Sequence, residues 1–308
     1  MSVLVFGSMN IDRTYSVDHF VQGGETMTAS RMELFRGGKG FNQAIALARA
    51  GIPTSFAGAV GSDGEFLLEP LRSENVDISR VKHSDGVSGH AVIQVNRQGN
   101  NCIIIVAGAN GTITHADADQ ALDSFGSGDW LVLQNEISSL DYIITKAKEK
   151  GMTVVLNPSP FNDALGSCNF DCVDYLLVNE IEAAAIADCS DDASFNEIIK
   201  AVRNRFPRMN VLMTLGHRGS VFEDKTGVRT ECGVYRVDAV DTTAAGDCFT
   251  GYFLAGLIKG ENPSKALKTA AIASGISVSR KGASPSIPYA AEVAKVDRAL
   301  ISDRFERD

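Results

Sequence analysis

A series of short, continuously apolar runs limits the architectures open to this chain. Val3-Leu4-Val5-Phe6, Trp130 to Gln134, Met152 to Leu156, Tyr175 to Val178 and Val211 to Leu215 lack the alternation of half-exposed strands. Strands buried on both faces read this way, and they belong to parallel sheets covered by helices. Helical patterns fill the intervals, so the class is α/β. Each run gives way to polar residues: Gly7 to Asp12, Asn135-Glu136, Asn157-Pro158, Asn179-Glu180-Ile181-Glu182 and Gly216 to Ser220. Polar groups therefore collect along one sheet edge, where open α/β sheets bind ligands. Any one of them also serves as a cap or a turn. Asn10 and Asp12 are read as loop residues beyond the first strand and as candidate ligand contacts.

Two segments depart from this alternation. Arg13 to Arg36 breaks into short pieces around Gly23-Gly24, and His90 to Val95, a turn at Asn96 to Asn100, and Asn101 to Val106 read as a hairpin. Together they predict a small β subdomain over a cleft, with an apolar face that would invite dimerisation. Farther on, helices are predicted over about Ala245 to Lys259 and Pro263 to Arg280, then a loop from Lys281 to Pro288 and a final exposed amphipathic helix.

Glycine-rich or small-residue turns open two helices. Gly37-Gly38-Lys39-Gly40-Phe41-Asn42-Gln43 precedes an alanine-rich helix closed by Gly51 and Pro53. Its glycines admit a ligand close to the backbone, and Lys39 and Asn42 offer donors to hydroxyls. The spacing is not that of a phosphate-binding P-loop, so the segment is assigned to a polar substrate. Asp241-Thr242-Thr243-Ala244-Ala245-Gly246-Asp247 enters a second helix. Unpaired N–H groups and the helix dipole make an anion site there. Asp247, in the first turn, could take a proton from a hydroxyl beside that anion, the arrangement phosphoryl transfer needs. A plain helix cap is the alternative.

Composition sets the remaining bounds. A chain of 308 residues with 44% apolar content can bury a full core, and a net charge of -9 argues against nucleic acid or an anionic membrane as partner. No apolar stretch reaches about 18 residues and no leader is recognised, so a cytoplasmic protein is expected. The six cysteines are read as reduced thiols, with Cys168 and Cys172 spaced for one helix face but structural, and the five histidines lack metal-ligand spacing.

Over essentially its whole length the chain resembles the ribokinase-like (PfkB) carbohydrate kinases. The two glycine-rich helix entrances, Gly37 to Gln43 and Asp241 to Asp247, are similar to that family's signatures. The resemblance implies one kinase domain, 1–308, of three-layer α/β/α form with a mostly parallel central sheet. It also implies a small β-sheet lid, at about 13–36 and 90–107, often used in homodimer contact. The implied activity is ATP- and Mg²⁺-dependent phosphorylation of a sugar, ribose first; another sugar, a nucleoside or a silent sugar-binding regulator are the alternatives. Asp247 would be the base, and Ala244, Ala245 and Gly246 the anion hole. Asn10, Asp12, Gly38, Lys39, Gly40, Asn42 and Glu136 would surround the sugar. Asn179, Thr214, Gly216, Gly219 and Gly246 would line the ATP site, with Glu182 placing Mg²⁺ through water. Asp241, Thr243, Ser277, Arg280, Gly282 and Ser286 would hold K⁺, mainly by backbone carbonyls. Phe41 stands where the family often has a small residue, and Ala271 where some relatives touch adenine.

Overall fold

The computed structural model describes residues 1–190 and 193–306. In chain order its elements are β1 Val3–Phe6, β2 Asn10–Ser16, β3 Arg31–Gly37, α1 Lys39–Arg49, β4 Thr54–Val60, α2 Glu65–Ser73, β5 Asp77–His83, β6 Gly89–Val95, β7 Asn101–Val106, α3 His115–Leu122 and β8 Trp130–Gln134. Then come α4 Leu140–Glu149, β9 Thr153–Asn157, β10 Tyr175–Asn179, α5 Glu180–Ile186, α6 Phe195–Arg205, β11 Asn210–Thr214, β12 Ser220–Glu223, β13 Arg229–Cys232, α7 Ala245–Ile258, α8 Pro263–Val278 and α9 Ala290–Val293.

A nine-stranded sheet runs β13-β12-β11-β10-β9-β8-β1-β4-β5, parallel from β11 to β5 and antiparallel at β12 and β13. Successive residues of its strands point to opposite faces. Val3, Val5, Val132, Val155, Leu177 and Leu212 thus enter one core with α1, α2, α7 and α8, while Leu4, Phe6, Leu131, Leu133, Val154 and Met213 enter another with α3 to α6. These are the three layers that the apolar runs predict. β1 lies between β4 and β8, so the chain leaves it in both directions and a crevice opens at its C-terminal end.

A separate four-stranded sheet, β3-β2-β6-β7, carries the predicted β insertions. The two segments meet through the parallel pairing of β2 with β6, Asn10 opposite Gly89 through Ser16 opposite Val95. One expectation changes here: Asn10 and Asp12 are not loop residues, because β2 begins at Asn10 and the polar loop is only Gly7 to Met9.

Among the described residues the expected C-terminal amphipathic helix is absent. Helix α9 ends at Val293 and the chain continues irregularly through a short 3₁₀ turn at Arg298–Leu300. Its buried apolar residues explain this: Val293 and Ile301 join the core on one sheet face and Phe305 the core on the other, which a single straight helix cannot do. Cys168 and Cys172 likewise share no helix; Cys168 follows the 3₁₀ turn Asp163–Ser167, and Cys172 closes another at Phe170–Cys172. All six cysteines are free, as expected. Among the described residues no helix is long and apolar enough to cross a membrane.

Candidate active site

The N-terminus of α1 packs directly on the loop after β1. A Cβ on Gly40 would lie 2.7 Å from the Gly7 Cα, and Phe41 N–H donates to the Ser8 carbonyl at 3.0 Å. Only glycine permits that approach. It delivers Lys39 to Glu136: the Lys39 backbone N–H donates to Glu136 Oε2 at 3.0 Å, and the Ser8 hydroxyl donates to the same oxygen. Phe41 is wholly buried in the core.

Asp12 rises from β2 onto this rim. Its carboxylate sits against Gly37, where a Cβ would be 2.3 Å from Asp12 Oδ2. Burial, and then repulsion from Glu136, push its pKa from 3.8 up to about 6. Asn10 is fixed by a residue that sequence reasoning missed. Asn110, buried in the 3₁₀ turn Gly108–Thr112, donates from Nδ2 to Asn10 Oδ1 at 2.8 Å and to the Met9 carbonyl at 3.2 Å, and accepts from Met9 N–H at 3.2 Å. An isolated Asn far along the chain carries no signal of such a role.

Asp247 lies in the first turn of α7, 8% exposed, just past Ala244, whose φ of 60° turns the chain into the helix. Ala245 N–H closes that turn on the Thr242 carbonyl at 3.2 Å. Gly246 and Asp247 N–H occupy first-turn positions, which have no acceptor within their own helix. The two carboxylate oxygens of Asp247 are divided between adjacent α1 side chains: Asn42 Nδ2 donates to Oδ2 at 3.0 Å, and Gln43 Nε2 to Oδ1 at 2.9 Å. Burial raises the Asp247 pKa and Glu136 adds to this, while Lys39, Gln43 and Asn42 oppose them. A carboxyl so placed is a stronger proton acceptor than a solvated aspartate.

Two clefts meet at this helix start. One, of ≈ 270 Å³, is lined by Lys39, Asn157, Asn179, Glu182, Thr214, Ala244 to Asp247 and Thr250. The other, of ≈ 530 Å³, is more apolar and adds Gly216, Gly219, Tyr235, Val237, Ala239, Phe249, Ala271 and Gly275. Asn179, Thr214, Thr242, Ala245 and Gly246 border both. The wall from Tyr235 to Ala239 was not foreseen, because it has no regular structure and so no period. Asn179 and Glu182, besides lining the first cleft, form a reciprocal cap on α5, at 2.8 and 3.1 Å, so the capping role open to that pair in the sequence is realised. Glu182 lines the first cleft and brings a carboxylate to it, a hard oxygen donor of the kind that suits Mg²⁺.

The segments expected to hold a monovalent cation are tied together. Asp241 Oδ1 accepts from Thr243 N–H at 2.9 Å and from its hydroxyl at 2.6 Å, and Oδ2 accepts from Gly282 N–H at 2.9 Å. Burial opposes ionisation of Asp241, but these bonds outweigh it and hold the pKa low. The Ser277 and Ser286 hydroxyls are bonded at 2.6 Å, and the Arg280 side chain turns aside to Glu292 at 2.5 Å.

Residues 1–290 match the pfkB family carbohydrate kinase model. The chain belongs to this family. It is thus a sugar kinase, and the two glycine-rich or small-residue helix entrances, at α1 and α7, converge on one site. The ribokinase of Staphylococcus aureus (strain COL) is 36% identical over 305 residues, 96% of this chain and 99% of that protein. The ribokinase of Haemophilus influenzae is 33% identical over 294 residues, 93% of this chain and 95% of that one. Among solved structures, Cryptococcus neoformans ribokinase in complex with ADP has a TM-score of 0.85 at 32% identity, covering 96% of this chain and 99% of that one. Arabidopsis thaliana ribokinase complexed with ribose and ATP has a TM-score of 0.84 at 30% identity, covering 96% and 97%.

Proposed function

We propose that this chain transfers the γ-phosphoryl group of ATP to the primary hydroxyl of ribose, forming ribose 5-phosphate and ADP. The observation that carries the reading is the position of Asp247, held by Asn42 and Gln43 where the two clefts join. Its support is the relation to proteins named ribokinase, one of them solved with ribose and ATP. Ribose would lie between Asp247 and the rim made by Asn10, Asp12, Gly38, Lys39, Gly40, Asn42 and Glu136. ATP would lie along Asn179, Thr214, Gly216, Gly219 and Gly246, with its base in the apolar cleft beside Ala271.

Asp247 takes the proton of the hydroxyl as its oxygen bonds to the γ-phosphorus, and the bond from that phosphorus to the bridging oxygen breaks in line to release ADP. The N–H groups opening α7, and Lys39, meet charge developing on the transferred group. Glu182 would hold Mg²⁺, which would supply charge neutralisation at the phosphates of ATP. Carbonyls of Asp241, Thr243, Ser277, Arg280, Gly282 and Ser286 would hold K⁺, and the Asp241–Gly282 bond supports the proximity this requires.

An unphosphorylated substrate agrees with the arginines of the small sheet. Arg13, Arg31, Arg36 and Arg97 lie beside four separate carboxylates, Asp63, Glu33, Glu69 and Asp18, rather than gathering into a cluster for a second phosphate. We read residues 1–308 as one kinase domain with that sheet as its lid. Met32, Leu34 and Ile104, exposed on one face of it, supply an apolar surface for a homodimer. Six free thiols agree with a reducing cytoplasm.

The test is ADP release over ribose, 2-deoxyribose, fructose, fructose 6-phosphate and adenosine, with the product identified by phosphorus NMR. Ribose should show the highest kcat/KM. A nucleoside or sugar phosphate that equals it would refute the assignment.

A further inference from the structure

We infer that Gln43 is a positioning residue for phosphoryl transfer: its side-chain amide, locked in one orientation by Gln134 and Asn157, aims the Asp247 carboxylate and keeps it ready to accept a proton. This rests on Asp247 being the base.

The directions of the bonds leave the amide no choice. Asn157 donates from Nδ2 to the Leu177 carbonyl at 2.8 Å, so its Oδ1 is what it presents to Gln43. Gln43 Nε2 spends its two hydrogens on Asn157 Oδ1 at 3.3 Å and Asp247 Oδ1 at 2.9 Å. Gln43 Oε1 accepts from Gln134 Nε2 at 2.7 Å. Turning the amide over would set its oxygen against the carboxylate and against Asn157 Oδ1, and its NH₂ against that of Gln134. Gln134 and Asn157 stand opposite each other at the C-terminal ends of β8 and β9, and Leu177 is on β10. Three sheet strands thus fix one side chain of α1, which in turn fixes a carboxylate on α7. Gln43 and Gln134 are wholly buried, out of reach of ATP and of solvent.

A second observation shows that this arrangement is not simply good packing. Gln134 Oε1 is buried without a hydrogen-bond partner, crowded against Gly7, where a Cβ would lie 2.1 Å from it. An orphaned buried acceptor destabilises a fold, and an apolar residue at the end of β8 would avoid it. What the glutamine supplies is the donor that orients Gln43.

Lys39 and Glu136 act on Asp247 from α1 and from the loop after β8, Glu182 borders the same cleft, and Cys248 follows it in α7. Gln43 opposes the burial that raises the Asp247 pKa, so its loss should raise that pKa further. The experiment measures kcat and kcat/KM for the sugar from pH 5 to 9, at saturating Mg-ATP, in wild type, Gln43→Leu, Gln134→Met and Asp247→Asn. Gln43→Leu should move the acid limb of kcat/KM up by about one pH unit and lower kcat at pH 7 about tenfold, with the sugar KM within about twofold. Gln134→Met, which frees the amide to turn over, should move the limb the same way by less. An acid limb unmoved in both variants, whatever the uniform loss of rate, overturns the inference. If Gln43→Leu does not fold, Gln134→Met decides alone. Near-normal turnover in Asp247→Asn would instead remove the base assignment beneath it.

Discussion

Replacing Asp12 by Asn should stabilise the empty protein while damaging its handling of sugar. In the folded chain the carboxyl titrates at about 6 against an ordinary 3.8, so at neutral pH folding must carry an anion into a site that resists it. A rise of that size corresponds to about 3 kcal/mol of stability lost once both states are ionised, an upper bound since water reaches part of this half-buried group. The sign follows from the protons bound. Between the two pKa values the native state holds the proton and the unfolded state has released it, so this group's contribution to stability falls as pH rises through the window. By the same linkage the penalty is about 1.5 kcal/mol at pH 5 and is complete above pH 7. Urea unfolding of wild type and Asp12→Asn without ligands should therefore show the variant more stable, with a gap that widens from pH 5 to pH 7.5. The sugar KM should rise far more than the ATP KM, because a group placed to accept from a hydroxyl discriminates strongly once altered. A stability difference that is constant with pH, or a variant less stable than wild type at pH 7.5, would refute the reasoning.

Three further outcomes are expected. Asp247→Asn should bind sugar nearly as wild type but turn over about 100-fold more slowly or worse, as loss of a general base requires, and steady-state kinetics on the folded variant checks this. Initial rates at saturating Mg-ATP should be higher in K⁺ than in a bulky organic cation at one ionic strength, chiefly through kcat; equal rates would exclude a cation near Asp241 and Gly282 as an organiser of the α7 entrance. Gly40→Ala should force the β1 loop away from α1 at the 2.7 Å approach to Gly7, costing about 1–3 kcal/mol in denaturant unfolding and raising the sugar KM, whereas unchanged stability would mean the loop yields freely.

The strand series, the two glycine-rich helix entrances and Asp247 were legible in the sequence because each rests on local physics. A strand buried on both faces must be apolar throughout, a ligand-facing helix start needs small residues, and an acid in the first turn is visible within a few positions. The β insertions could be recognised from their alternation, but not that β2 pairs in parallel with β6, which placed Asn10 and Asp12 on a strand. The support of the site lay out of reach altogether. Gln43 meets Gln134 across 91 positions and Asp247 across 204, and Asn110 meets Asn10 across 100. Buried amides carry no period, and their value depends on which atoms face which once the strands are in register. The irregular wall from Tyr235 to Ala239 and the missing terminal helix share that cause: their residues are set by where each finds a surface to cover, and for Val293, Ile301 and Phe305 those surfaces lie on opposite faces of the sheet. Local pattern determined the elements and the place of Asp247 in a first helical turn; tertiary structure decided what holds its carboxylate, because hydrogen-bond direction exists only between groups already brought together.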